Sequence, residues 1–289
     1  MKNLLGSSSL LVLVTCLLAQ GCTQEVSAES EAGQDESAIV GGRKVSSTDP
    51  IARTTVSILD PSPEVGQFCT GIVLDRELVL SAAHCFDDPD RVPHVRLGAG
   101  GALIPVRRVA VHSQYSKARR RSYDRTIEGV ESASQVTTPS TPLSDLAVLW
   151  LESPLPEAAS PAVLSSPSDL ASAQLVSAGF GCTTTACKGQ GDVLRKVTVR
   201  FVKTAPAANL LVLSAGARHG TCFGDSGGPD FAVTPRGLEV VAMISTGPEA
   251  CEAGISVDTL LAPYTGWIQR SGQSLRAGRG VASARVLDF

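Results

Sequence analysis

Short apolar segments rich in β-branched residues recur along the chain, and turn residues separate them. Such segments are typical of strands in a β-barrel or β-sandwich. A stretch rich in Pro, Ser and Ala, residues 152–169, divides them into two groups. The segments are 54–59, 71–74, 78–81, 107–111 and 147–151 before that stretch, and 175–181, 196–202, 210–213 and 238–244 after it. The sequence therefore predicts an all-β protein with two strand-rich halves, 39–151 and 170–270, a linker at 152–169, and a tail at 271–289 that the pattern does not place.

A glycine-rich stretch at 221–229 carries the pattern Gly-Asp-Ser-Gly-Gly around Ser226. A serine hydroxyl that attacks a carbonyl needs a base to take its proton and donors to stabilise the oxyanion. Glycines let the backbone turn sharply and approach a substrate closely, so the N–H groups of Gly224 and Ser226 are candidate oxyanion donors. By itself this short pattern also fits an ordinary turn.

Two other motifs offer partners for Ser226. His84 lies in Ala-Ala-His-Cys, and Asp145 begins Asp-Leu-Ala-Val-Leu. In this order, the two motifs and Gly-Asp-Ser-Gly-Gly-Pro resemble the chymotrypsin/trypsin family of serine endopeptidases. Ile-Val-Gly-Gly at 39–42 resembles the mature N-terminus of that family. Together the motifs span roughly residues 39–268.

The resemblance implies two Greek-key antiparallel β-barrels packed face to face, with the active site in the cleft between them and a closing helix at 262–270. It also implies a serine endopeptidase in which Ser226 attacks the scissile carbonyl, His84 transfers the proton and Asp145 orients His84. An α/β-hydrolase would have its histidine after the serine, whereas all four histidines of this chain precede Ser226.

The N-terminus has the features of an export signal. Lys2 precedes an apolar run at 10–19 that is too short to span a bilayer comfortably, so we expect residues 1–21 to be removed. Leu-Ala-Gln-Gly-Cys at 18–22 resembles a bacterial lipobox. This predicts lipid on Cys22, an exported protein attached to the bacterial cell envelope, and membrane contact through that lipid alone. Plain secretion after a cut nearby is the alternative.

Residues 22–38 are acidic and lack aromatic side chains, which predicts a disordered tether or pro-segment. The family resemblance implies a zymogen that an activating protease cuts between Ala38 and Ile39. The new α-ammonium of Ile39 would then pair with Asp225 and order the oxyanion loop and the specificity pocket. Alternatively, Ile39 merely begins the first strand. Whether the enzyme activates itself is left open.

Six cysteines remain when Cys16 is removed with the signal and Cys22 carries lipid. An even number in an exported protein favours three disulfides. The resemblance implies two of the pairs and leaves the third: Cys69–Cys85, Cys222–Cys251 and Cys182–Cys187.

Three glycines are expected at the primary specificity pocket. In the resembling family an Asp six residues before the nucleophile selects Lys or Arg, and here Gly220 occupies that position. With Gly247 and Gly254 as walls, the pocket should accept a sizeable uncharged side chain, which disfavours a trypsin-like preference. His219 leaves a preference for acidic side chains as an alternative.

The formal net charge is −3, and the basic cluster 119–121 lies in a polar insertion, 113–144, that predicts an exposed loop. We therefore expect protein or peptide substrates, no nucleic-acid partner, a monomer, no cofactor and no metal cluster, with calcium binding by loop carboxylates left open. Two other classes are alternatives: a catalytically inert protein of the same fold that binds a partner, and a surface lipoprotein with an adhesive role.

Overall fold

The structure, a computed structural model, describes residues 39–167, 169–187, 192–280 and 284–289. The signal peptide at 1–21, the lipidation of Cys22 and the tether at 22–38 are predictions that lie outside the described residues.

The described residues form two groups of strands and three α-helices. The strands before the linker are β1 (Arg43–Lys44), β2 (Thr55–Asp60), β3 (Gly66–Val73), β4 (Leu78–Ser81), β5 (His94–Arg96), β6 (Ile104–His112) and β7 (Ala147–Leu151). The strands after it are β8 (Gln174–Gly179), β9 (Arg195–Ala205), β10 (Leu210–Ser214), β11 (Pro229–Thr234), β12 (Gly237–Thr246), β13 (Ile255–Leu260) and β14 (Ala284–Asp288). The α-helices are α1 (Pro50–Thr54), α2 (Lys117–Ile127) and α3 (Thr265–Arg276).

Two six-stranded antiparallel barrels confirm the predicted fold class. The first runs β6-β5-β2-β3-β4-β7 and closes through β6 and β7, and the second runs β9-β10-β13-β12-β11-β8 and closes through β8 and β9. In each barrel the fourth strand along the chain lies beside the first, which is the Greek-key order. Closure leaves neither barrel with a free edge among these twelve strands.

The ends of the described chain exchange between the barrels. Strand β1 precedes the first barrel but pairs with β9 of the second, and β14 follows the second barrel but pairs with β6 of the first. The predicted tail at 271–289 therefore has structure, because residues 271–276 complete α3 and 284–288 form β14.

The barrel cores consist of the β-branched and leucine side chains that the strand pattern predicted. Ile58, Ile72 and Leu149 are fully buried in the first, and Leu175 and Leu211 are fully buried in the second. All six residues of β2 are buried. None of the helices in the described part of the chain has both the length and the apolar character needed to cross a membrane.

The insertion at 113–144 contains a helix with a buried face, so the expectation of an exposed loop was wrong. Residues Lys117–Ile127 form α2, and the Ser116 side chain accepts a hydrogen bond from the backbone of Arg119 at its N-terminus. Tyr123 and Ile127, four residues apart, lie on one face of the helix and are buried against the second barrel. This apolar pair anchors the insertion to the second barrel, a contact that the high polarity of the sequence concealed.

Three disulfides join residues that are 16, 5 and 29 positions apart: Cys69–Cys85, Cys182–Cys187 and Cys222–Cys251. The first links β3 to the turn that follows β4. The other two lie in the second half of the chain.

We expect the two disulfides of the second half to differ in their contribution to stability, because a longer closed loop removes more entropy from the unfolded chain. In the chain-entropy model, replacing Cys222 and Cys251 by Ala lowers the free energy of unfolding by about 3.5 kcal/mol, and replacing Cys182 and Cys187 lowers it by about 2 kcal/mol. Urea unfolding of both variants, followed by tryptophan fluorescence, measures the difference. Equal losses would contradict the entropic account.

Candidate active site

His84 and Asp145 are brought together by the pairing of β4 with β7. Ser81 at the end of β4 pairs with Ala147 at the start of β7. His84 lies three residues beyond Ser81, in the 3₁₀ turn Ala83–Phe86, and Asp145 lies two residues before Ala147. Antiparallel strands place these two positions at the same end of the barrel.

The imidazole of His84 is held by the carboxylate of Asp145. Nδ1 of His84 lies 2.8 Å from Oδ2 of Asp145, and the His84 backbone N–H donates to Oδ1 at 2.9 Å. The Ser245 hydroxyl, from the end of β12, donates to Oδ2 at 2.7 Å. Asp145 is fully buried, while 17% of the His84 side chain is exposed.

Two opposing effects set the pKa of Asp145: burial and the groups that contact the carboxylate. Burial alone raises the pKa, but the charge attraction and hydrogen bond of His84, the charge of Arg120 and the hydrogen bond from Ser245 hold it well below its usual range. Asp145 is therefore a carboxylate at neutral pH.

Arg120 is a member of this site that sequence analysis missed. Its Nε lies 3.4 Å from Oδ2 of Asp145, a second nitrogen donates to the Ser245 carbonyl at 2.9 Å, and a third lies 3.1 Å from Asp124. The side chain is 16% exposed, so the expectation of a wholly solvated cluster at 119–121 was wrong for this residue. The one available signal was its spacing of three and seven residues from the apolar pair, which places Arg120 on the same face of α2.

Ser226 lies in a tight loop before β11. Gly224 (φ +94°) and Gly227 (φ +86°) have backbone conformations that favour glycine, and a Cβ on Gly227 would lie 2.3 Å from the carbonyl oxygen of Thr70. The Ser226 carbonyl accepts a hydrogen bond from the Thr70 N–H at 2.8 Å, which ties the loop to β3. Within the described part of the chain, the N–H groups of Gly224 and Ser226 donate no hydrogen bond.

His84, Gly224 and Ser226 line one cavity of about 420 Å³, which we call the substrate cavity. Its walls come from both barrels and from α2, and they include the Cys69–Cys85 disulfide and residues 221–223 and 244–249.

Of the three glycines expected at the specificity pocket, one lines the substrate cavity and two do not. Gly247 lines the substrate cavity, but Gly220 and Gly254 do not. A Cβ on Gly220 would lie 2.9 Å from the Cα of Gly254, so the two backbones pack together. The imidazole of His219 packs near Gly41 instead of lining the cavity, which gives the alternative preference for acidic side chains no support from this residue.

Asp225 is a buried carboxyl next to Ser226. Its two oxygens accept hydrogen bonds from the N–H groups of Gly181 and Cys222, both at 2.8 Å. Burial outweighs these bonds and raises the pKa of Asp225 to about 7. Among the described residues no cation pairs with it.

Ile39 is fully buried in the core of the second barrel, and Val40 exchanges two backbone hydrogen bonds with Gly220, of 2.9 and 3.0 Å. The chain continues before Ile39, so its nitrogen belongs to a peptide bond and carries no charge.

Cys69, His84 and Cys85 are the one group of described residues whose potential metal-ligand atoms all lie within 4.8 Å of one another. The two cysteines share a disulfide, so they offer no thiolate, and the group is not a metal site.

Residues 39–268 match the family model described as Trypsin. The chain is 30% identical over 215 residues to brachyurin from Leptuca pugilator, covering 70% of this chain and 86% of that protein. It is 25% identical to CLIP domain-containing serine protease B4 from Anopheles gambiae, covering 80% of this chain and 69% of that protein. A shorter match, 40% identical over 65 residues, covers 22% of this chain and 24% of lectizyme from Glossina austeni.

The raised pKa of Asp225 predicts how the stability of the uncut protein depends on pH. The folded state binds this proton more tightly than the unfolded chain, whose pKa is 3.8. The contribution of Asp225 is therefore complete below about pH 4 and is lost as the pH rises through about 7, by up to about 4 kcal/mol.

Asp225→Asn removes this pH dependence and adds a constant cost from its altered hydrogen bonds. We measure the free energy of unfolding by urea titration at several pH values. As the pH rises from about 4 to about 7, the wild type should lose stability relative to Asp225→Asn. Asp90→Asn, an exposed substitution, is the control and should track the wild type. Parallel curves for wild type and Asp225→Asn would contradict the assignment.

Proposed function

Since this chain belongs to the trypsin family of serine proteases, we propose that it is a serine endopeptidase that uses Ser226, His84 and Asp145. The observation that carries the proposal is the imidazole of His84, bound at Nδ1 by a buried carboxylate in the same cavity as Ser226. Protein or peptide substrates follow from the family.

In the proposed reaction, Ser226 Oγ attacks the scissile carbonyl carbon while Nε2 of His84 takes the hydroxyl proton. The tetrahedral intermediate collapses as the C–N bond breaks, and His84 gives the proton to the leaving amine. Water then hydrolyses the acyl-enzyme with His84 again as the base. Asp145 keeps the proton of neutral His84 on Nδ1, which leaves Nε2 free to act as the base.

The N–H groups of Gly224 and Ser226 are proposed to stabilise the oxyanion. Both residues line the substrate cavity, and neither N–H is used within the described structure. Donors that are already fixed in position stabilise the charge without having to reorganise during the reaction.

The same proposal includes activation by cleavage between Ala38 and Ile39, by another protease or by a second copy of this one. Asp225 supports it, because a buried carboxyl without a cation is the group that a new α-ammonium would stabilise. For specificity, we propose an uncharged primary pocket, since Gly220 brings no carboxylate to it.

We also propose an exported protein with the barrels at 39–151 and 170–270, since three disulfides favour an oxidising compartment. Lipid on Cys22 is proposed from the sequence alone. The inert and the adhesive alternatives have no specific observation in their favour.

Fluorophosphonate labelling tests the nucleophile and the activation together. We expect a form cut to begin at Ile39 to be labelled at Ser226, as identified by mass spectrometry, and the full chain to be labelled far more slowly. Asp225→Asn should reduce labelling of the cut form to that slow rate. Equal labelling of both forms would reject the activation step, and no labelling of either would favour the inert alternative.

Ser245→Ala should lower kcat/KM of the cut form on casein about tenfold, because Asp145 loses a hydrogen bond to a charged group, worth about 1.5 kcal/mol or more. Ser256→Ala is the matched control, since that buried serine donates to Asp258 at 2.6 Å and not to Asp145. It should lower stability and leave kcat/KM nearly unchanged. Similar losses of kcat/KM in the two variants would contradict the role given to Ser245.

A further inference from the structure

A second cavity of about 420 Å³ also has His84 in its wall. It shares His84, Arg91 and Arg120 with the substrate cavity, so the two cavities adjoin. Its wall also contains Asp87, Asp88, Tyr115, Lys117 and Arg121. We call it the α2 cavity, because α2 contributes three of its cationic residues.

The wall of the α2 cavity is positively charged, with four cationic side chains against two carboxylates. Both carboxylates already have partners. Asp87 accepts a hydrogen bond from the Tyr115 hydroxyl at 2.8 Å, and Asp88 lies 3.5 Å from Arg91. Arg120 is paired with Asp145 and Asp124. Lys117 and Arg121 therefore remain against the single charge of Asp87, and the cavity keeps a net positive charge.

Lys117 and Arg121 supply this excess. They are four residues apart on α2 and therefore lie on one face of the helix. The Lys117 ammonium donates to the carbonyl oxygen of Asp87 at 3.1 Å, and no carboxylate within the described structure forms an ion pair with either residue. Arg119, on another face, donates to the carbonyl of Gln114 at 3.2 Å.

Arg120 makes the site compatible with a bound anion. The carboxylate of Asp145 would otherwise repel a negative charge placed beside His84. Arg120 lies 3.4 Å from that carboxylate and offsets its charge.

If the proposed function holds, the α2 cavity lies where the substrate residue immediately before the scissile one would bind. An extended peptide places successive side chains on opposite sides. If the scissile residue occupies the substrate cavity beside Ile244–Gly247, the residue before it faces the opposite side of the peptide, and the α2 cavity adjoins the substrate cavity at His84. Helix α2 contacts this same segment, because Asp124 accepts a hydrogen bond from the Thr246 hydroxyl at 2.8 Å.

We propose that the α2 cavity binds the carboxylate side chain of the substrate residue immediately before the scissile one, through Lys117 and Arg121. This protease would then prefer Glu or Asp at that position, next to an uncharged scissile residue. The specificity arises from the insertion at 113–144, which brings the cationic helix to the active site.

Two labelled hexapeptides that differ only in Glu or Gln immediately before a leucine test the proposal. Their affinities are measured by fluorescence polarisation on Ser226→Ala in the form cut to begin at Ile39, which should not cleave them. We expect the Glu peptide to bind about fivefold more tightly, the scale of a partly exposed ion pair. Adding Lys117→Gln and Arg121→Gln should abolish the preference, and adding Arg119→Gln, which removes one positive charge elsewhere on α2, should retain it.

Equal affinity for the two peptides, no measurable affinity for either, or a preference that survives the double substitution would refute the site. The wild-type form cut to begin at Ile39 is then assayed for hydrolysis of the same peptides. If Ser226→Ala prefers the Glu peptide but the cut wild type cleaves neither, the anion site stands and the endopeptidase proposal fails. Cleavage of both peptides with equal kcat/KM would refute the anion site alone.

Discussion

The buried carboxylate of Asp145 determines how the rest of the site has to be packed. Removing a carboxylate from water costs several kcal/mol unless the surrounding groups replace its hydration. Here the replacements come from three parts of the chain: His84 from the first barrel, Ser245 from the second, and Arg120 from the insertion between β6 and β7. Asp145 can therefore be buried as an anion only when both barrels and the insertion are in place. The charged form of this carboxylate thus depends on all three parts of the chain being folded.

The nucleophile loop depends on the same contact between barrels. Its residues belong to the second barrel, but the first barrel holds its carbonyl oxygens. The Gly224 carbonyl accepts hydrogen bonds from the Thr70 hydroxyl at 2.9 Å and from the Gln67 amide at 3.0 Å, and the Ser226 carbonyl accepts one from the Thr70 backbone. Since the carbonyls are occupied on one side of the loop, its unused N–H groups are left on the side of the cavity. Exchange of β1 and β14 between the barrels reinforces this arrangement.

The strand pattern predicted an all-β barrel or sandwich, because a strand shows its periodicity within a few residues. The two-barrel fold and the partnership of His84 with Asp145 were implied by the family resemblance of short motifs, each of which lies at the end of a strand. Arg120 could not be found this way, because whether an arginine is solvated or buried depends on a partner that lies 25 positions further along the chain. The Tyr123 and Ile127 spacing did contain a helix signal, but the polarity around it hid that signal. The close packing of Gly220 against Gly254 is equally non-local, since it joins two separate loops.

Asp145 and Asp225 are both fully buried, yet their pKa values move in opposite directions. Burial raises the pKa of each, and the difference lies in the charges that approach them. His84 and Arg120 reverse the effect at Asp145, whereas two neutral N–H groups cannot do so at Asp225. In the uncut chain Ile39 is already buried in the core, and Val40 is hydrogen-bonded to Gly220. Under the proposed activation, the cut before Ile39 would therefore add a positive charge to a fold whose strands are already in register.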